Sequence, residues 1–518
     1  MSHELRPGRS GPGVAALLAI LYITFLDNTV VSAILTSIQS ELHSGISQLQ
    51  WVVGAYALTF ASLMLVCGSL GDNFGRKRLI LIGVSVFAVG SLVSALATSS
   101  AVLVAGRALM GVGAASSEPG TLSMIRHLFR DDRTRARALG AWAAVSGLAL
   151  ATGPVIGGVL VGVWSWRAVF WFNLIFAGVA YVAAARLLPE SVNDTRSRVD
   201  VGGFVTGSLA LAAATFATIA GETHGYRSSE VIDVYVVAVL AGAAFIALER
   251  SRVAPMVNFA HLKSRSFVST LFVAYASYFS IFSIFFFVAL YLEVVAAVSA
   301  YVLALDFLPL LAGMVVASLW AGRWVGRVGA RLPMALDCVV AAAGVWLTDQ
   351  VISPTVGVAE LGATMGLAGI GFGVVAVAVT SGGLRALPAS ESGVAASMVN
   401  TARELGAVTG VAVLGSIVNG QLTVALMHRL EQIGVPASFR NQIITALTTG
   451  TLGDQARSYG ATSSAQVQAI VTKVVNAAYG AFAHGLDLAL GISSLLLVVA
   501  ALVALASDAV TLGVLEAA

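Results

Sequence analysis

The stretch GSLGDNFGRKR, residues 68–78, joins two long apolar runs near residues 51–70 and 79–98. It combines glycines that suit a tight turn with one acid and three consecutive basic residues. Each flanking run supplies the roughly 20 apolar residues that a helix needs to cross a bilayer. We therefore interpret the stretch as a short loop between two membrane-spanning helices.

The composition is that of a chain that folds in lipid rather than in water. Hydrophobic residues occupy 58% of the 518 positions, charged residues occupy 11%, and the mean hydropathy is +0.90. So little polar surface would not solvate a folded chain of this length. The net charge of +3 is small and the basic residues fall in short loops, so we expect no nucleic-acid partner.

Fourteen segments meet the length requirement for a transmembrane helix, and they predict an all-α polytopic membrane protein. A first group of six lies near residues 14–35, 51–70, 79–98, 101–125, 137–160 and 164–187. Two more lie near 203–221 and 231–249, and a second group of six lies near 267–293, 300–322, 332–351, 357–382, 393–419 and 479–506.

This order predicts two six-helix bundles with two inserted helices between them. The predicted parts are a tail over 1–13, a bundle over 14–187, the inserted helices and linkers over 188–266, and a bundle over 267–518 that contains a long loop at about 420–478. An internal repeat supports this design, because two glycines and a cation recur at an offset of 254. The matched pairs are Gly68 with Gly322, Gly75 with Gly329, and Lys77 with Arg331.

The basic residues predict the orientation of the chain in the membrane. One set of alternate loops carries 21 Lys and Arg residues, whereas the opposite set carries six. Short loops rich in Lys and Arg stay on the cytoplasmic side. We therefore expect both termini in the cytoplasm, the loop at about 420–478 outside, and a multi-pass protein of the cell membrane.

Asp27 and Arg107 are ionisable residues inside predicted spans. Asp27 lies about 20 Å from the inner surface, and Arg107 about 9 Å from the outer surface of a core about 30 Å thick, at 1.5 Å per residue. The two depths agree, so the sequence predicts that they meet. A charge in the bilayer costs about 2.5–3.5 kcal/mol, and such residues mark functional sites by default. A static structural ion pair is the alternative.

Further ionisable residues lie in other spans. Glu118 falls on the same helix face as Arg107, and we interpret it either as an acid that faces a substrate cavity or as a solvated residue at the inner mouth. Arg403 and Glu404 are adjacent near a midplane, so they point to different neighbours in a structural or gating role. Asp337 and Asp487 are isolated acids to which the sequence assigns no role.

The segment TGPVIGG places Pro154 among Gly153, Gly157 and Gly158, a pattern that suits close helix packing with a tolerated kink. The chain shows no Walker motif, no clustered nucleophile and base, and no metal-ligand spacing among its histidines. We therefore expect a protein that is not an enzyme, needs no cofactor and is not driven by ATP.

The loop over 68–78 has two interpretations. It is either an ordinary turn with cytoplasmic cations, or a latch in which Asp72 accepts hydrogen bonds from a helix N-terminus or from Arg135 or Arg137. GSLGDNFGRKR resembles the signature loop of the major facilitator superfamily, G-x-x-x-D-(R/K)-x-G-(R/K)-(R/K), with Asn73 in place of a cation. The resemblance implies an inner-gate motif made of Gly68, Asp72, Gly75, Arg76, Lys77 and Arg78.

Other segments resemble the fourteen-span drug:proton antiporters of that superfamily. They are FLDNTVV, GRALMGVGAA, TGPVIGG, WSWRAVFWFN, YLEVV, FLPLLAGM and MVNTARELG, and they cover about residues 14–419 in order. The resemblance implies proton coupling at Asp27 and Arg107, and it implies that TGPVIGG marks an exporter. In the family an apolar residue usually stands where this chain has Glu118. The family's form of the motif around TGPVIGG also has its first glycine at the position where this chain has Ala149.

We therefore predict a proton-coupled antiporter that exports drugs or other amphipathic molecules by alternating access between the two bundles. Its expected partners are a small-molecule substrate, protons and the lipid bilayer, and we expect a monomer in a bacterial cell membrane. One alternative is a proton-driven uptake symporter of the same fold. Another is a membrane sensor or scaffold that does not transport.

Overall fold

The structure is a computed structural model that describes residues 10–129, 132–190, 201–252, 261–296, 298–387, 392–432, 440 and 465–507. The first half forms α1 (Ser10–Val30), α2 (Leu35–Leu42), α3 (Ile46–Phe74), α4 (Arg76–Ala95), α5 (Ser100–Leu128), α6 (Asp132–Val163) and α7 (Arg167–Leu187). Two helices follow, α8 (Val201–His224) and α9 (Ser229–Ser251). The second half forms α10 (Arg265–Ser283), α11 (Ala289–Val294), α12 (Ala300–Val328), α13 (Arg331–Val351), α14 (Val358–Ala386), α15 (Ser392–Gln432) and α16 (Ala465–Ala506).

Twelve helical segments within these ranges are long and apolar enough to cross a membrane. The two remaining segments of the predicted fourteen correspond to α3, which has 29 residues, and α8, whose apolar stretch is Val205–Thr218. The finding agrees with an all-helical, multi-pass membrane protein. The total of fourteen spans stays a prediction.

The predicted loop at about 420–478 is wrong at both ends. Helix α15 continues to Gln432, and α16 already begins at Ala465. Leu426 and Leu430, four residues apart on one helix face, are fully buried and carry the apolar stripe of α15 past residue 420. With 41 residues, α15 is about 60 Å long and exceeds a core about 30 Å thick.

Two glycine turns show the internal repeat in three dimensions. Gly75 between α3 and α4 and Gly329 between α12 and α13 have φ angles of +106° and +81°, which L side chains rarely adopt. Lys77 Nζ donates a hydrogen bond to the carbonyl of Ala185 near the end of α7, at 2.7 Å. Arg331 likewise donates to the carbonyl of Leu505 near the end of α16. Turn and cation therefore recur at the predicted offset.

Serines set where several helices begin. The hydroxyls of Ser99, Ser228, Ser264 and Ser299 each accept a hydrogen bond from the backbone N–H three residues later, at 3.3–3.4 Å. These are N-cap contacts, which satisfy one of the donors that a helix start leaves open. The caps fix the first turns of α5, α9, α10 and α12.

Glycines let neighbouring helices approach backbone to backbone. A Cβ at Gly90 on α4 would lie 2.6 Å from the backbone nitrogen of Met110 on α5, and one at Gly313 on α12 would lie 2.5 Å from the carbonyl of Gly366 on α14. Lipid provides no hydrophobic driving force between helices, so close van der Waals packing at small residues stabilises such crossings. Such close approaches occur in both halves.

The two halves meet along α3 with α15 and along α6 with α12. Helix α8 packs against both α3 and α15, and Ser208 Oγ donates to the carbonyl of Ser62 at 2.6 Å. Helix α9 packs mainly on α8, and the most apolar stretch of α9 is only 17% buried. Helices α5 and α6 of the first half also contact α15 and α14 of the second half, and this arrangement positions the candidate site.

Candidate functional site

Asp27 on α1 and Arg107 on α5 form an ion pair between carboxylate Oδ2 and guanidinium Nη1. Both side chains are fully buried, at 0% exposure. The structure thus brings together the two residues whose depths were predicted to agree. A single charge in an apolar interior would carry a large desolvation penalty. The pairing of the two charges and their further hydrogen bonds offset this penalty.

Two residues that the sequence reasoning missed complete this site. Asn173 on α7 donates from Nδ2 to Asp27 Oδ1 at 2.6 Å. The guanidinium of Arg107 lies 4.6 Å from the centroid of the Tyr56 ring, and its Nε donates to the carbonyl of Val52 at 2.9 Å. A polar amide inside the apolar run of α7 was the available signal for Asn173. We call Asp27, Arg107, Asn173 and Tyr56 the first-half cluster.

The segment TGPVIGG lies directly beside this cluster. A Cβ at Gly153 would meet the backbone nitrogen of Val30 at 2.8 Å, and one at Gly157 would meet the carbonyl of Val30 at 2.7 Å. Thr29 Oγ1 donates to the carbonyl of Leu150 at 2.8 Å, and Pro154 and Gly158 are buried as well. Helix α6 therefore packs on the turn of α1 that follows Asp27. A movement of α1 at this turn would displace α6.

A second buried cluster links the two halves. Glu118 on α5 is 1% exposed, and its Oε1 accepts a hydrogen bond from Asn400 Nδ2 on α15 at 3.2 Å. Asn400 Oδ1 in turn accepts from Arg403 Nη1 at 3.1 Å. The interpretation of Glu118 as a solvated residue at a mouth is therefore wrong. Together with the buried Glu404, these residues form what we call the bridging cluster.

Arg403 makes its direct hydrogen bonds to α14 and Asn400, while both Arg403 and Glu404 lie within electrostatic range of Glu118. Arg403 Nη2 donates to the carbonyl of Ala376 at 2.8 Å and to Thr380 Oγ1 at 2.7 Å, both on α14. Its guanidinium also lies 5.4 Å from the centroid of the Tyr278 ring. Glu404 is 2% exposed and close enough to Glu118 for the two charges to interact.

A pocket opens between α6 of the first half and α10, α12, α14 and α15 of the second half. It contains about 690 Å³ of space between atoms, its open mouth included. Its polar lining residues are Ser146, Ser277, Tyr278, Ser318, Thr380 and Arg403. The rest of the lining is apolar or glycine, for example Leu150, Ile281 and Phe372. Such a mixed lining offers both polar and apolar contacts to an amphipathic molecule.

The predicted loop over 68–78 is in fact a turn at Gly75 between α3 and α4, and the basic residues at the start of α4 contact the end of α7. Glu190 accepts a hydrogen bond from the backbone nitrogen of Lys77 at 3.2 Å, and it lies 3.6 Å from Arg78 Nε. Arg76 begins α4 and is partly buried. Asp72 and Gly68 belong to the last turns of α3, but the side chain of Asp72 and those of Arg135 and Arg137 lie outside the described residues. The predicted latch is therefore untested.

The remaining predicted acids lie elsewhere. Asp337 on α13 is 5% exposed, and its Oδ2 accepts no hydrogen bond from any described residue. Asp487 on α16 lies close enough to Asp349 on α13 for their charges to interact. Neither acid belongs to the two clusters. Within the described ranges, no group of three or more His, Cys, Asp or Glu residues is placed to hold a metal ion.

Comparisons with known proteins agree on one family. A family model described as the Major Facilitator Superfamily matches residues 17–411. The chain is 31% identical to the methylenomycin A resistance protein of Bacillus subtilis, over 81% of this chain and 90% of the relative. It is 29% identical to the multidrug efflux pump LfrA of Mycolicibacterium smegmatis, over 96% of each chain.

A solved structure shares the fold. It is the inward-facing, unoccupied crystal structure of a bacterial homolog to the human lysosomal transporter Spinster. The TM-score is 0.67 at 15% identity, over 98% of this chain and 99% of the other. At this identity the likeness establishes the helical architecture, whereas substrate and mechanism depend on the residues of the site.

Proposed function

The chain belongs to the major facilitator superfamily of transporters, and from that premise we propose that it exports amphipathic small molecules, such as drugs, in exchange for protons. The observation that carries the coupling proposal is the buried ion pair of Asp27 and Arg107, with Asn173 as its third member. The relatives named as a resistance protein and as a multidrug efflux pump support the direction of transport. The finer assignment is to the fourteen-span drug:proton antiporters.

Protonation of Asp27 would change the energy balance of the first-half cluster. With Asp27 ionised, the cluster holds one negative and one positive charge in an apolar interior. A proton on Asp27 removes the negative charge and leaves Arg107 buried without its counter-ion. Breaking a buried ion pair in this way costs about 3–5 kcal/mol, which favours a conformation that solvates or re-pairs the arginine.

The proton gradient is of a size that can be coupled to this change. One charge that moves through 100 mV releases about 2.3 kcal/mol. At about 1.4 kcal/mol per factor of ten, this sustains about a fifty-fold concentration gradient of the exported compound. Protons would enter at Asp27 from the outside, and substrate would leave the pocket between the halves.

The architecture proposed for this cycle is two six-helix bundles, over 14–187 and 267–518, that rock around the pocket. Helices α8 and α9 are the insert over 188–266, and α3 and α8 complete fourteen spans. The Lys and Arg bias supports a cytoplasmic location for both termini and for the basic residues 76–78, and the bacterial relatives support a bacterial cell membrane. The transporter would work as a monomer and without a cofactor, since the proton gradient supplies the energy.

Transport by the purified protein in liposomes tests this proposal. The test uses liposomes in which the cytoplasmic side of the protein faces the outer solution and the lumen is acidic. These liposomes should accumulate a fluorescent cation such as ethidium, and an uncoupler should abolish the accumulation. A proton-driven uptake symporter would move the compound in the direction of proton flow instead. A sensor or scaffold would move none, which would reject the transport proposal.

A further inference from the structure

The bridging cluster has an imbalance of charge that the first-half cluster does not have. Glu118 and Glu404 supply two carboxyl groups, whereas Arg403 supplies one guanidinium. All three side chains are at most 4% exposed. If both carboxyl groups were ionised, one uncompensated negative charge would lie in the apolar interior, which is unfavourable.

The hydrogen bonds do not offset this imbalance. Arg403 directs its Nη2 to α14 and reaches Glu118 only through the amide of Asn400. Among the described residues no donor reaches Glu118 Oε2 or Glu404 Oε2, although both atoms are buried. A buried carboxylate oxygen without a donor is costly, whereas a carboxyl oxygen that carries a proton is neutral.

Among the described residues, no second cation faces the pair of carboxyl groups. The charges that act on Glu118 and Glu404 are those of Arg403 and, for Glu404, of Glu118. The other ionisable groups that face them are Tyr56 on α3 and Tyr278 on α10, and beyond Tyr56 lie Asp27 on α1 and Arg107 on α5. Arg107 is already paired with Asp27. On α14, the hydroxyl of Thr380 and the carbonyl of Ala376 accept hydrogen bonds from Arg403.

We propose that Glu118 and Glu404 together hold one proton, as a second proton-binding site that spans the two halves and is separate from Asp27. With this proton the cluster carries one negative and one positive charge and is neutral overall. Because Glu118 lies on α5 and Glu404 on α15, the site exists only while these helices are together. When the halves separate and water enters, the O–H bond breaks and the proton passes to water.

The site has a consequence for the substrates of the transporter, and this part rests on the proposed function. Once the proton has left, the bridging cluster carries one net negative charge beside the pocket that Arg403 and Tyr278 line. A cationic amphiphile bound there would replace the proton as the balancing charge. Cationic substrates would therefore exchange for one proton more than neutral substrates do.

The proton can be counted without any transport. Infrared spectra of the purified protein in liposomes at neutral pH report protonated carboxyl groups, because their carbonyl stretch is separate from the amide bands. Glu118→Gln and Glu404→Gln should each remove the signal of one protonated carboxyl, since the remaining acid then pairs with Arg403 as an ion. The double variant should remove one and no more.

Glu230→Gln, at an exposed acid in the first turn of α9, is the matched control and should leave the signal unchanged. Glu404→Asp keeps a carboxyl group at the site and should retain the signal, which guards against an unfolded glutamine variant. No loss in either single variant, or a loss of two protonated carboxyls in the double variant, would overturn the shared proton.

Proton release on substrate addition tests whether substrate binding displaces the proton of the bridging cluster. Tetraphenylphosphonium added to the purified protein in weak buffer should release one proton fewer from Glu118→Gln than from the unmodified chain, measured with a pH dye. Asp27→Asn should still release the proton of the bridging cluster although its uphill transport is lost. Equal release from the unmodified chain and Glu118→Gln would reject the second site while leaving the proposed export function intact.

Discussion

The two halves of the chain share a turn and differ in where they carry charge. Gly75 and Gly329 both adopt positive φ, and Lys77 and Arg331 both reach the carbonyl end of the last helix in their half. The residue 254 positions after Asp27, however, is the buried, apolar Ile281. The repeat therefore preserves the scaffold, and the buried ion pair is a feature of the first half.

The second half places its buried charges differently. Helix α14, which corresponds in order to α5, carries charges only near its ends, at Glu360 and Arg385. Arg403 and Glu404 instead lie on α15 and face Glu118 across the boundary between the halves. The first half thus holds a balanced pair within itself, whereas the second half completes its charges only by contact with the first. This difference predicts separate roles for the two clusters.

The largest effect is expected for Asp27→Asn. The amide keeps the fold, because it still offers an oxygen to Arg107, but it cannot bind and release a proton. Uphill, proton-driven export should fall to background, whereas downhill exchange of substrate should survive. Substrate-induced proton movement in proteoliposomes measures this directly. Full coupling in a well-folded Asp27→Asn protein would move the essential proton site to the bridging cluster.

Removal of the arginine tests the same pair from the other side. Arg107→Ala should leave Asp27 buried without a counter-charge, favour its protonated form and destabilise the protein by about 3–5 kcal/mol. Arg107→Lys keeps a charge but loses the donation from Nε to Val52 and the planar stack on Tyr56, so it should recover stability only in part. Thermal unfolding in detergent and coupling in liposomes should rank the unmodified chain first, lysine second and alanine last.

How much of this site the sequence could predict depends on the kind of contact. The equal height of Asp27 and Arg107 followed from their depths, because antiparallel helices of known rise fix the height of each residue. The donor from Asn173 depends on the rotation of α7, which periodicity in an all-apolar helix leaves undetermined. The contact of Glu118 with Asn400 depends on how the halves pack, and no local pattern encodes that arrangement.

The sequence likewise predicted some features of the fold and not others. Apolar length predicted where the helices lie, but it placed the end of one helix near residue 419 and the start of the last near 479, where the structure has Gln432 and Ala465. Residues 420–432 and 465–478 are less apolar than a span, so hydropathy excludes them although they continue the helices. Helical propensity and buried leucines, rather than lipid, extend α15 there.

A smaller and more selective effect is expected for Glu118→Gln. Glutamine keeps an acceptor for Asn400 but removes the negative charge that would balance a cationic substrate. Initial export of cationic compounds should fall by about tenfold, equivalent to about 1.4 kcal/mol, while that of neutral compounds is retained. Glu230→Gln should change neither class. If both classes fall together, Glu118 belongs to the coupling machinery that all substrates share.

Substitution of Lys77 and of Arg331 tests whether the turns at Gly75 and Gly329 contribute equally to stability. Lys77→Met and Arg331→Met each remove one charged donor to a helix-end carbonyl, a contact worth about 1.5–3 kcal/mol when shielded from water. Lys77 is partly buried and Arg331 is exposed, so Lys77→Met should lower thermal stability more. Unfolding of the detergent-solubilised variants measures the difference. A larger effect at Arg331 would show that the second turn supports the fold more than the first.

The smallest difference is expected between Gly75→Ala and Gly329→Ala. Both alanines would have to adopt a positive φ that L residues rarely adopt, at a cost of about 1–3 kcal/mol each. A Cβ at residue 75 would also lie 2.7 Å from Glu190 Oε1, the carboxylate that holds Lys77 and Arg78, whereas a Cβ at residue 329 meets nothing within 4 Å. Gly75→Ala should therefore lower the unfolding temperature further than Gly329→Ala does. In a Glu190→Ala background the obstacle is gone, and the two alanine substitutions should then cost the same; a difference that persists would mean that the backbone turns themselves are unequal.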